Sequence, residues 1–304
     1  MTVQTEAPVV IAIDGSTHSA RTIDWGVDEA ARRGAPVVLV QTYQDPAERA
    51  WGWVPPPTGD PGGLAEAKAY LDTQEDLVRR RHPGVAVTAR LVHGAAVPSL
   101  RDESARAQLL VVGAGGRGDG HRIGSVAAHL AAHGRCPVAV VKPVPHLPWS
   151  EDDEDVLAPG ARPVVVGVDG SRASVQAAYL AAEAAAARGV VLELVHARPT
   201  PALPYGPRGA PALAELDETD PAHLAARRVA EALCDAYPRL GVRTTLVDDD
   251  PAHALTEASG RAQLLVVGSR GTGAFRGMLL GAVSGHVVRT AACTVIVVHG
   301  SPDE

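Results

Sequence analysis

The sequence has few aromatic residues, so a hydrophobic core must be built mainly from aliphatic side chains. Aromatic residues make up 3% of the chain, with a single phenylalanine, whereas 46% of all residues are hydrophobic. Valine, leucine, isoleucine and alanine therefore make up most of the hydrophobic residues. That composition is typical of parallel strands that are buried on both faces beneath alanine-rich helices.

Cysteine is also scarce. The chain has three cysteines, which cannot form a disulfide framework. Cys136 and Cys293 each precede a valine-rich run, where we expect a small buried hydrophobic side chain, and Cys234 falls in a helical stretch. The N-terminal residues lack the basic region and apolar run of a signal peptide. These features predict a cytoplasmic protein in a reducing compartment.

The chain has no excess of positive charge and no long apolar run. Its formal net charge is −7, which argues against a nucleic-acid partner because a general nucleic-acid-binding surface needs a basic face. No stretch approaches the ~18 consecutive apolar residues of a membrane-spanning helix. We therefore expect neither a nucleic acid nor a membrane as partner.

What the chain does contain is an internal repeat. Residues 9–16 read VVIAIDGS, and residues 164–171, 155 positions later, read VVVGVDGS. The segment RAQLLVVG occurs at 106–113 and again, unchanged, at 261–268. A repeat of this length indicates a duplicated domain rather than a solenoid unit, so it predicts the architecture independently of any short motif.

The repeat predicts two domains joined by a linker. The domains are expected at residues 1–145 and 162–304. The linker at 146–161 contains the acidic run 151–155, which we expect to be solvated rather than to bind a metal.

Each half alternates predicted strands with helices, and this pattern indicates an α/β fold with parallel strands and right-handed crossovers. We predict two Rossmann-like, doubly wound domains, each with a five-stranded, mostly parallel sheet. Strands are predicted near 9–14, 36–43, 85–92, 108–113 and 137–142, and near 163–169, 190–197, 242–247, 263–268 and 294–298. Helices of the first half are predicted near 19–33, 64–82, 98–106 and 124–134. The loops near 44–63 and 198–211 stay unassigned.

Two short motifs should lie at the carboxyl ends of the strands, where open parallel sheets bind ligands. The first strand of each half ends in Asp-Gly-Ser, at 14–16 and 169–171. A carboxylate there can accept hydrogen bonds from a ligand hydroxyl or amine, although the serines could instead only cap the following helix. The second strand ends at Thr42 in one half and Ala197 in the other, and small residues there leave room for a flat ring.

A third motif is the glycine-rich loop after the fourth strand. It runs from Gly113 through Gly116 to Gly124-Ser125 in the first half, and from Gly268 through Gly271 to Gly281 in the second. Glycines let the backbone approach a phosphate, and the helix that follows presents free N–H groups and a favourable dipole. Flexible surface loops are the alternative interpretation for either loop alone.

A strand ending in Asp-Gly-Ser, followed by a late G-x-x-G, nine residues, G-[S/T] loop, resembles the universal stress proteins. The resemblance covers both halves, as in the tandem members common in actinobacteria. It implies pairing through the last strand of each domain, 138–141 and 295–298, which gives an intramolecular pseudo-dimer, and a further homodimer through edge strands. It also implies one of two subclasses, of which one binds ATP and the other does not.

For the ATP-binding subclass, the resemblance implies adenosine contacts at the first and second strand ends and phosphate contacts at the glycine-rich loop. The ligand implied is ATP, with or without magnesium. The implied nucleotide-binding residues are Asp14, Gly15, Ser16, Thr42, Gly113, Gly116, Gly124 and Ser125 in the first half, and Asp169, Gly170, Ser171, Ala197, Gly268, Gly271, Gly281, Ala282, Val283 and Ser284 in the second.

Both halves depart from the family pattern. The first loop is two residues short, whereas the second has Ala282 where serine or threonine is expected. Losing one hydroxyl contact to a phosphate costs about 1.5–3 kcal/mol, but shortening the loop moves several N–H groups at once. The motif alone therefore favours the second half as the better site.

Other motifs point to weaker alternatives. Residues 113–118 read G-x-G-x-x-G, but they follow the fourth strand rather than the first, so NAD is not expected. His129 and His133 lie one helical turn apart without an evident third metal ligand, which favours a surface pair. The acidic run 248–250 is expected to be a solvated turn before Pro251.

The sequence shows no repeated acid–base pair and no nucleophile–histidine order at the strand ends. We therefore expect a protein without catalytic residues and without a protein-bound metal site, with slow ATP hydrolysis at most. The leading hypothesis is an ATP-binding universal stress protein that acts as a stress-response regulator or sensor. The alternative is an interaction or scaffold member that binds no nucleotide.

Overall fold

The computed structural model describes residues 7–44, 64–115, 123–143, 159–198, 221–272 and 280–300. It divides into two compact units, Met1–Pro143 (unit 1) and Val144–Glu304 (unit 2). The acidic run 151–155 and most of the two unassigned loops lie outside the described residues. Among the helices within those residues, none combines the length and apolar character needed to cross a membrane.

Unit 1 is a five-stranded parallel sheet with helices between successive strands. The order across the sheet is β3-β2-β1-β4-β5, so successive strands are added to one side of β1 up to β3 and to its other side from β4 onward. The strands are β1 Val9–Ile13, β2 Val37–Tyr43, β3 Val87–His93, β4 Leu109–Gly113 and β5 Val138–Val141, and the helices are α1 Ser19–Arg33, α2 Leu64–Arg81, α3 Ala96–Ser104 and α4 Ser125–His133.

Unit 2 repeats this arrangement after a short 3-10 turn at Pro159–Ala161. Its strands are also parallel and lie in the order β8-β7-β6-β9-β10. They are β6 Val164–Gly167, β7 Leu192–Ala197, β8 Val242–Val247, β9 Leu264–Gly268 and β10 Thr294–Val298, and the helices are α5 Arg172–Arg188, α6 Pro221–Ala236, α7 Pro251–Arg261 and α8 Ala282–Thr290. The predicted α/β class, with a doubly wound five-stranded sheet in each half, is confirmed.

The core is aliphatic, as the composition predicts. The central strands β1, β4, β6 and β9 are buried along almost their whole length, and α5 covers its sheet with a face of buried alanines. Cys136 belongs to this core, and burial raises the pKa of its thiol to about 12. Cys293 is half-buried and Cys234 is exposed.

The main difference from the predicted helices is at α3. This helix begins at Ala96 rather than Pro98, so Pro98 lies inside its first turn. Proline is tolerated there because the first N–H groups of a helix have no partner within the helix. The proline therefore marks the beginning of the helix less sharply than the sequence suggested.

Helix α1 lies unusually close to β1, and a glycine makes this possible. A Cβ atom at Gly26 would lie 2.6 Å from Cδ1 of Ile11, which is completely buried. Unit 2 has the equivalent pair with the sizes exchanged: Ala181 on α5 and Val166 on β6, both completely buried. Each unit therefore fills the same space with a different division of methyl groups between helix and strand.

Unit 2 contains a buried carboxylate at a position that is aliphatic in unit 1. Glu193 on β7 is 1% exposed, and its two oxygens accept hydrogen bonds from Arg243 at 2.7 Å, Arg261 at 2.6 Å and Thr245 at 2.9 Å. Burial alone would raise the pKa of Glu193, but these hydrogen bonds outweigh it and lower the pKa. The equivalent residue in unit 1 is Val38, so a charged cluster replaces an aliphatic contact.

We expect Gly26→Ala to lower the free energy of unfolding of unit 1 by about 1 kcal/mol. Overpacking a core costs about 1–3 kcal/mol, while replacing a helical glycine with alanine recovers about 1 kcal/mol. Adding Ile11→Val recreates the pair found in unit 2 and should recover the lost free energy of unfolding. Denaturant unfolding of the single and double variants measures both effects, and a double variant no more stable than Gly26→Ala would contradict the packing argument.

We expect Glu193→Val to change the free energy of unfolding by less than about 1 kcal/mol, because the half-exposed arginines Arg243 and Arg261 return to water. The double variant Arg243→Ala/Arg261→Ala should instead lose about 3–5 kcal/mol, since it leaves a buried carboxylate without its charged partners. Urea unfolding measures both. Equal losses in the two variants would show that the ion cluster itself, rather than the desolvated charge, controls stability.

Candidate functional site

Unit 1 has a cavity of about 440 Å³ at the carboxyl ends of its strands, where the strand order reverses. The ends of β1, β2 and β4 form its floor, and the first turns of α1, α3 and α4 form its walls. It brings together six of the predicted site residues: Asp14, Ser16, Thr42, Gly113, Gly124 and Ser125. Gly116 lies outside the described residues.

The Asp-Gly-Ser turn of unit 1 fixes the carboxylate of Asp14 in this cavity. Gly15 has a φ of 76°, in the left-handed region that glycine adopts without strain. Oδ1 of Asp14 then accepts hydrogen bonds from the Ser16 backbone N–H at 2.9 Å and from the Ser19 hydroxyl at 3.0 Å. The turn and the first residue of α1 therefore hold Oδ1 of Asp14 in place.

Two side chains at this site were missed by the sequence reasoning. His18 lines the cavity, and Tyr70 on α2 lies close to Ser19 and Asp14. Burial raises the pKa of Tyr70 and the charge of Asp14 adds to this, so the phenol keeps its proton. The signal available was the repeat itself, because the equivalent positions in unit 2 hold Ala173 and Ala225.

Two polar atoms in the cavity wall have no hydrogen-bond partner among the residues that the structure describes. They are Oγ of Ser16 and Nδ1 of His18, and both atoms are buried. Leaving a buried polar atom unsatisfied costs about 1–3 kcal/mol, so such atoms are expected where water or a ligand supplies the partner.

The three helices that open on the unit 1 cavity share an unusual N-terminus. Helices α1, α3 and α4 begin at the N-cap residues His18, Ala95 and Gly124, and none of these makes a side-chain capping hydrogen bond. None of the three helices has an acidic residue in its first turn. Their positive dipole ends therefore face the cavity without an acidic residue of their own, and the carboxylate beside them is that of Asp14, at the start of α1.

In unit 2 the equivalent carboxylate is bound by its own glycine-rich loop. Oδ2 of Asp169 accepts a hydrogen bond from the Thr272 backbone N–H at 2.8 Å, and Oδ1 accepts one from the Ser171 N–H at 3.0 Å. A Cβ atom at Gly271 would collide with Oδ2 of Asp169, so glycine is required for this approach. Burial alone would raise the pKa of Asp169, but hydrogen bonds from Ser171, Thr272 and Ser174 outweigh it and lower the pKa.

Two of the helix N-termini in unit 2 are capped by side chains. Oγ of Ser171 accepts a hydrogen bond from the Ser174 N–H at 3.2 Å, and Oδ1 of Asp250 accepts from Ala252 and His253 at the start of α7. The capping role considered for both serines is thus present at Ser171, while α1 lacks a side-chain cap.

The remaining predicted residues of unit 2 lie at the same edge of its sheet. Gly170 has a φ of 82°, Ala197 ends β7, and Gly268 ends β9. Gly281 is the N-cap of α8, which begins with Ala282 and Val283. The hydroxyl of Ser284, predicted to meet a phosphate, donates a hydrogen bond to the Gly268 carbonyl at 2.5 Å and is buried.

Two groups of possible metal ligands lie elsewhere on the surface. The rings of His129 and His133 stack with centroids 4.1 Å apart. Asp249, His253 and Glu257 have their ligand atoms within 4.8 Å of one another, and no member of this group is buried. Nδ1 of His253 lies 2.5 Å from Oδ2 of Asp249, whose carboxylate raises the pKa of the imidazole. This geometry is that of an exposed ion pair beside the Asp250 cap.

Comparison with known proteins adds evidence of relationship. A model of the universal stress protein family matches residues 7–142 and 160–299. A universal stress protein of Mycobacterium tuberculosis is 34% identical over 307 residues, covering 96% of this chain and 97% of the relative. A second one from that organism is 33% identical over 305 residues, covering 96% of each. The crystal structure of a universal stress protein from Archaeoglobus fulgidus covers 99% of both chains with a TM-score of 0.64 and 18% identity, a likeness of fold.

We expect the contact between Asp169 and Thr272 to be lost in acid. Because the folded-state pKa of Asp169 is lowered, its stabilising contribution is present above the unfolded pKa of about 3.9 and disappears as the pH falls through the folded value. A carbon-13 NMR titration of the Asp169 carboxyl should give a pKa below that of a free aspartate. Asp169→Asn should remove this part of the acid dependence of unit 2 unfolding, and a carboxyl that titrates above the free value would contradict the assignment.

Proposed function

The chain belongs to the universal stress protein family, and we propose that it binds an adenine nucleotide in the cavity of unit 1 and acts as a stress-response regulator or sensor. The observation that carries the proposal is this cavity, which brings six of the predicted nucleotide-binding residues to the point where the strand order reverses. Ligands of open α/β sheets bind at such points.

The size and chemistry of the cavity fit a nucleotide. Its volume of about 440 Å³ is within the ~300–1,000 Å³ range of small-molecule sites. The Asp14 carboxylate can accept hydrogen bonds from ribose hydroxyls or an amine. Gly113, Gly124 and Ser125 leave room for phosphates close to the backbone, and the uncapped N-termini of α1, α3 and α4 favour an anion.

The described geometry supports unit 1 as the main site, whereas the loop motif favoured the second half. In unit 2, a ligand that needs Asp169 must first displace the Thr272 N–H, and the Ser284 hydroxyl already donates to Gly268. In unit 1, Ser16 and His18 each have a buried polar atom without a partner in the described part of the chain. A ligand therefore satisfies groups in unit 1, while in unit 2 it competes with contacts already made.

The contacts in unit 2 favour the second candidate, an interaction role without nucleotide, for that half of the chain. Unit 2 supplies a hydrogen bond to Asp169 from its own backbone and caps α5 and α7 with Ser171 and Asp250. Its site therefore keeps this arrangement without a ligand. The proposal also includes ATP as the nucleotide, its binding without rapid hydrolysis, a homodimer and a cytoplasmic location.

The proposal is tested by identifying the nucleotide that the purified protein retains, using the matched variants Gly124→Asp and Gly281→Asp. Both glycines are N-cap residues with nearly the same backbone conformation, and an added Cβ meets no atom closer than 3.5 Å. Aspartate is a favourable N-cap residue, so both helices should be kept. The new carboxylate would repel a phosphate at that helix.

We expect adenine nucleotide from denatured wild-type protein and from Gly281→Asp, and a loss of at least about tenfold from Gly124→Asp. Mass-resolved chromatography of the supernatant measures this, and circular dichroism checks the fold of each variant. Loss of the nucleotide from Gly281→Asp alone would instead assign the binding site to unit 2. No nucleotide from the wild type, and no binding of added millimolar ATP, would leave the interaction role as the function of both units.

A further inference from the structure

The two units differ most sharply at one position in the wall of the candidate site. Position 18 in unit 1 is histidine, and the equivalent position 173 in unit 2 is alanine, although the serines on either side of the helix start are shared. His18 lines the cavity and is the N-cap residue of α1, so the imidazole lies at the positive end of a 15-residue helix.

No contact within the described residues of unit 1 accounts for the imidazole at this place. Nδ1 of His18 is buried and has no hydrogen-bond partner among the described residues, and the side chain does not cap α1. Ala173 shows that the first turn of this helix forms without a histidine. Since an unsatisfied buried nitrogen destabilises the fold, the position is better explained by a ligand than by folding.

The surroundings of His18 select an anion as that ligand. Among the described residues that line the cavity, the ionisable side chains are Asp14 and His18, and the carboxylate of Asp14 would repel a phosphate. The phosphate is therefore expected at His18 and at the N-terminus of α4 at Gly124, which line the same cavity. An imidazole offers up to two N–H donors there, and its donors are charge-assisted when both nitrogens are protonated.

We propose that His18 binds the phosphate of the ligand and makes the unit 1 cavity selective for phosphorylated nucleosides over free nucleosides. This inference rests on the proposed nucleotide binding, which it extends to a residue outside the glycine-rich loop. Unit 2 lacks this contact because the equivalent residue is Ala173.

The test is calorimetric titration of nucleotide-free protein with ATP, AMP and adenosine. The variant His18→Ala copies the residue found at position 173, so folding of α1 should be kept. His18→Gln keeps an uncharged donor, and Thr17→Ala, at an exposed neighbouring position, is the matched control. Loss of a hydrogen bond to a charged group weakens binding by about 10- to 100-fold.

We expect His18→Ala to weaken the binding of ATP and AMP by that factor and to leave the affinity for adenosine unchanged. The ATP affinity of His18→Gln should lie between those of the wild type and His18→Ala, and that of Thr17→Ala should equal the wild-type value. Equal weakening of ATP and adenosine would overturn the proposal, because His18 would then only shape the cavity. Unchanged ATP affinity in His18→Ala, with binding still abolished by Gly124→Asp, would overturn the role of His18 but keep the nucleotide site. Absence of ATP binding by the wild type would overturn both.

Discussion

The close approach of the first helix to the end of the fourth strand determines the geometry of each unit. A Cβ atom at Gly113 would lie 2.9 Å from the Thr22 hydroxyl oxygen, and one at Gly268 would lie 2.9 Å from the carbonyl carbon of Ala173. At Gly268 a side chain would meet the helix backbone, so glycine is required there, whereas at Gly113 the Thr22 side chain would have to shift. The Asp-Gly-Ser turn precedes the helix and the glycine-rich loop follows the strand, so the same contact brings both motifs to one edge of the sheet.

On this shared frame, the two units satisfy their polar groups in different ways. Unit 2 uses backbone N–H groups, a serine cap and an aspartate cap, so Asp169 and the N-termini of α5 and α7 have hydrogen-bond partners before any ligand arrives. Within its described ranges, unit 1 leaves Ser16 and His18 each with an unsatisfied atom. Because a ligand stabilises only the state that binds it, ligand in unit 1 should stabilise that half of the chain selectively.

The sequence predicted the fold well because the repeat allowed each strand and helix to be checked against its equivalent. The strands are continuous valine-rich runs, and helix ends such as Gly34 and Gly189 coincide with glycines in the left-handed conformation. Thr42, Gly113 and Gly124 were also placed correctly at one edge, because strand ends in a parallel sheet converge.

The sequence could not predict which polar groups are already paired. The hydrogen bond from Thr272 to Asp169 joins residues that are 103 positions apart, and its existence depends on the backbone path of the loop. The motif gave no sign of it and favoured the second half. Tyr70 and His18 were missed because a family motif directs attention to shared residues, whereas these two differ between the halves.

The ion cluster around Glu193 has a consequence for the history of such a duplicated chain. Two halves with a common origin can exchange segments through recombination, and an exchange that transferred β7 into unit 1 would place Glu193 where Val38 now lies. Thr88 would then occupy the position of Arg243. The position of Arg261 is already an arginine in unit 1, at Arg106, so a transferred Glu193 would lose one of its two arginine partners and find the other in place. Removing one partner of a buried charge is destabilising, so such an exchange between the halves would carry a stability cost that the aliphatic Val38 avoids.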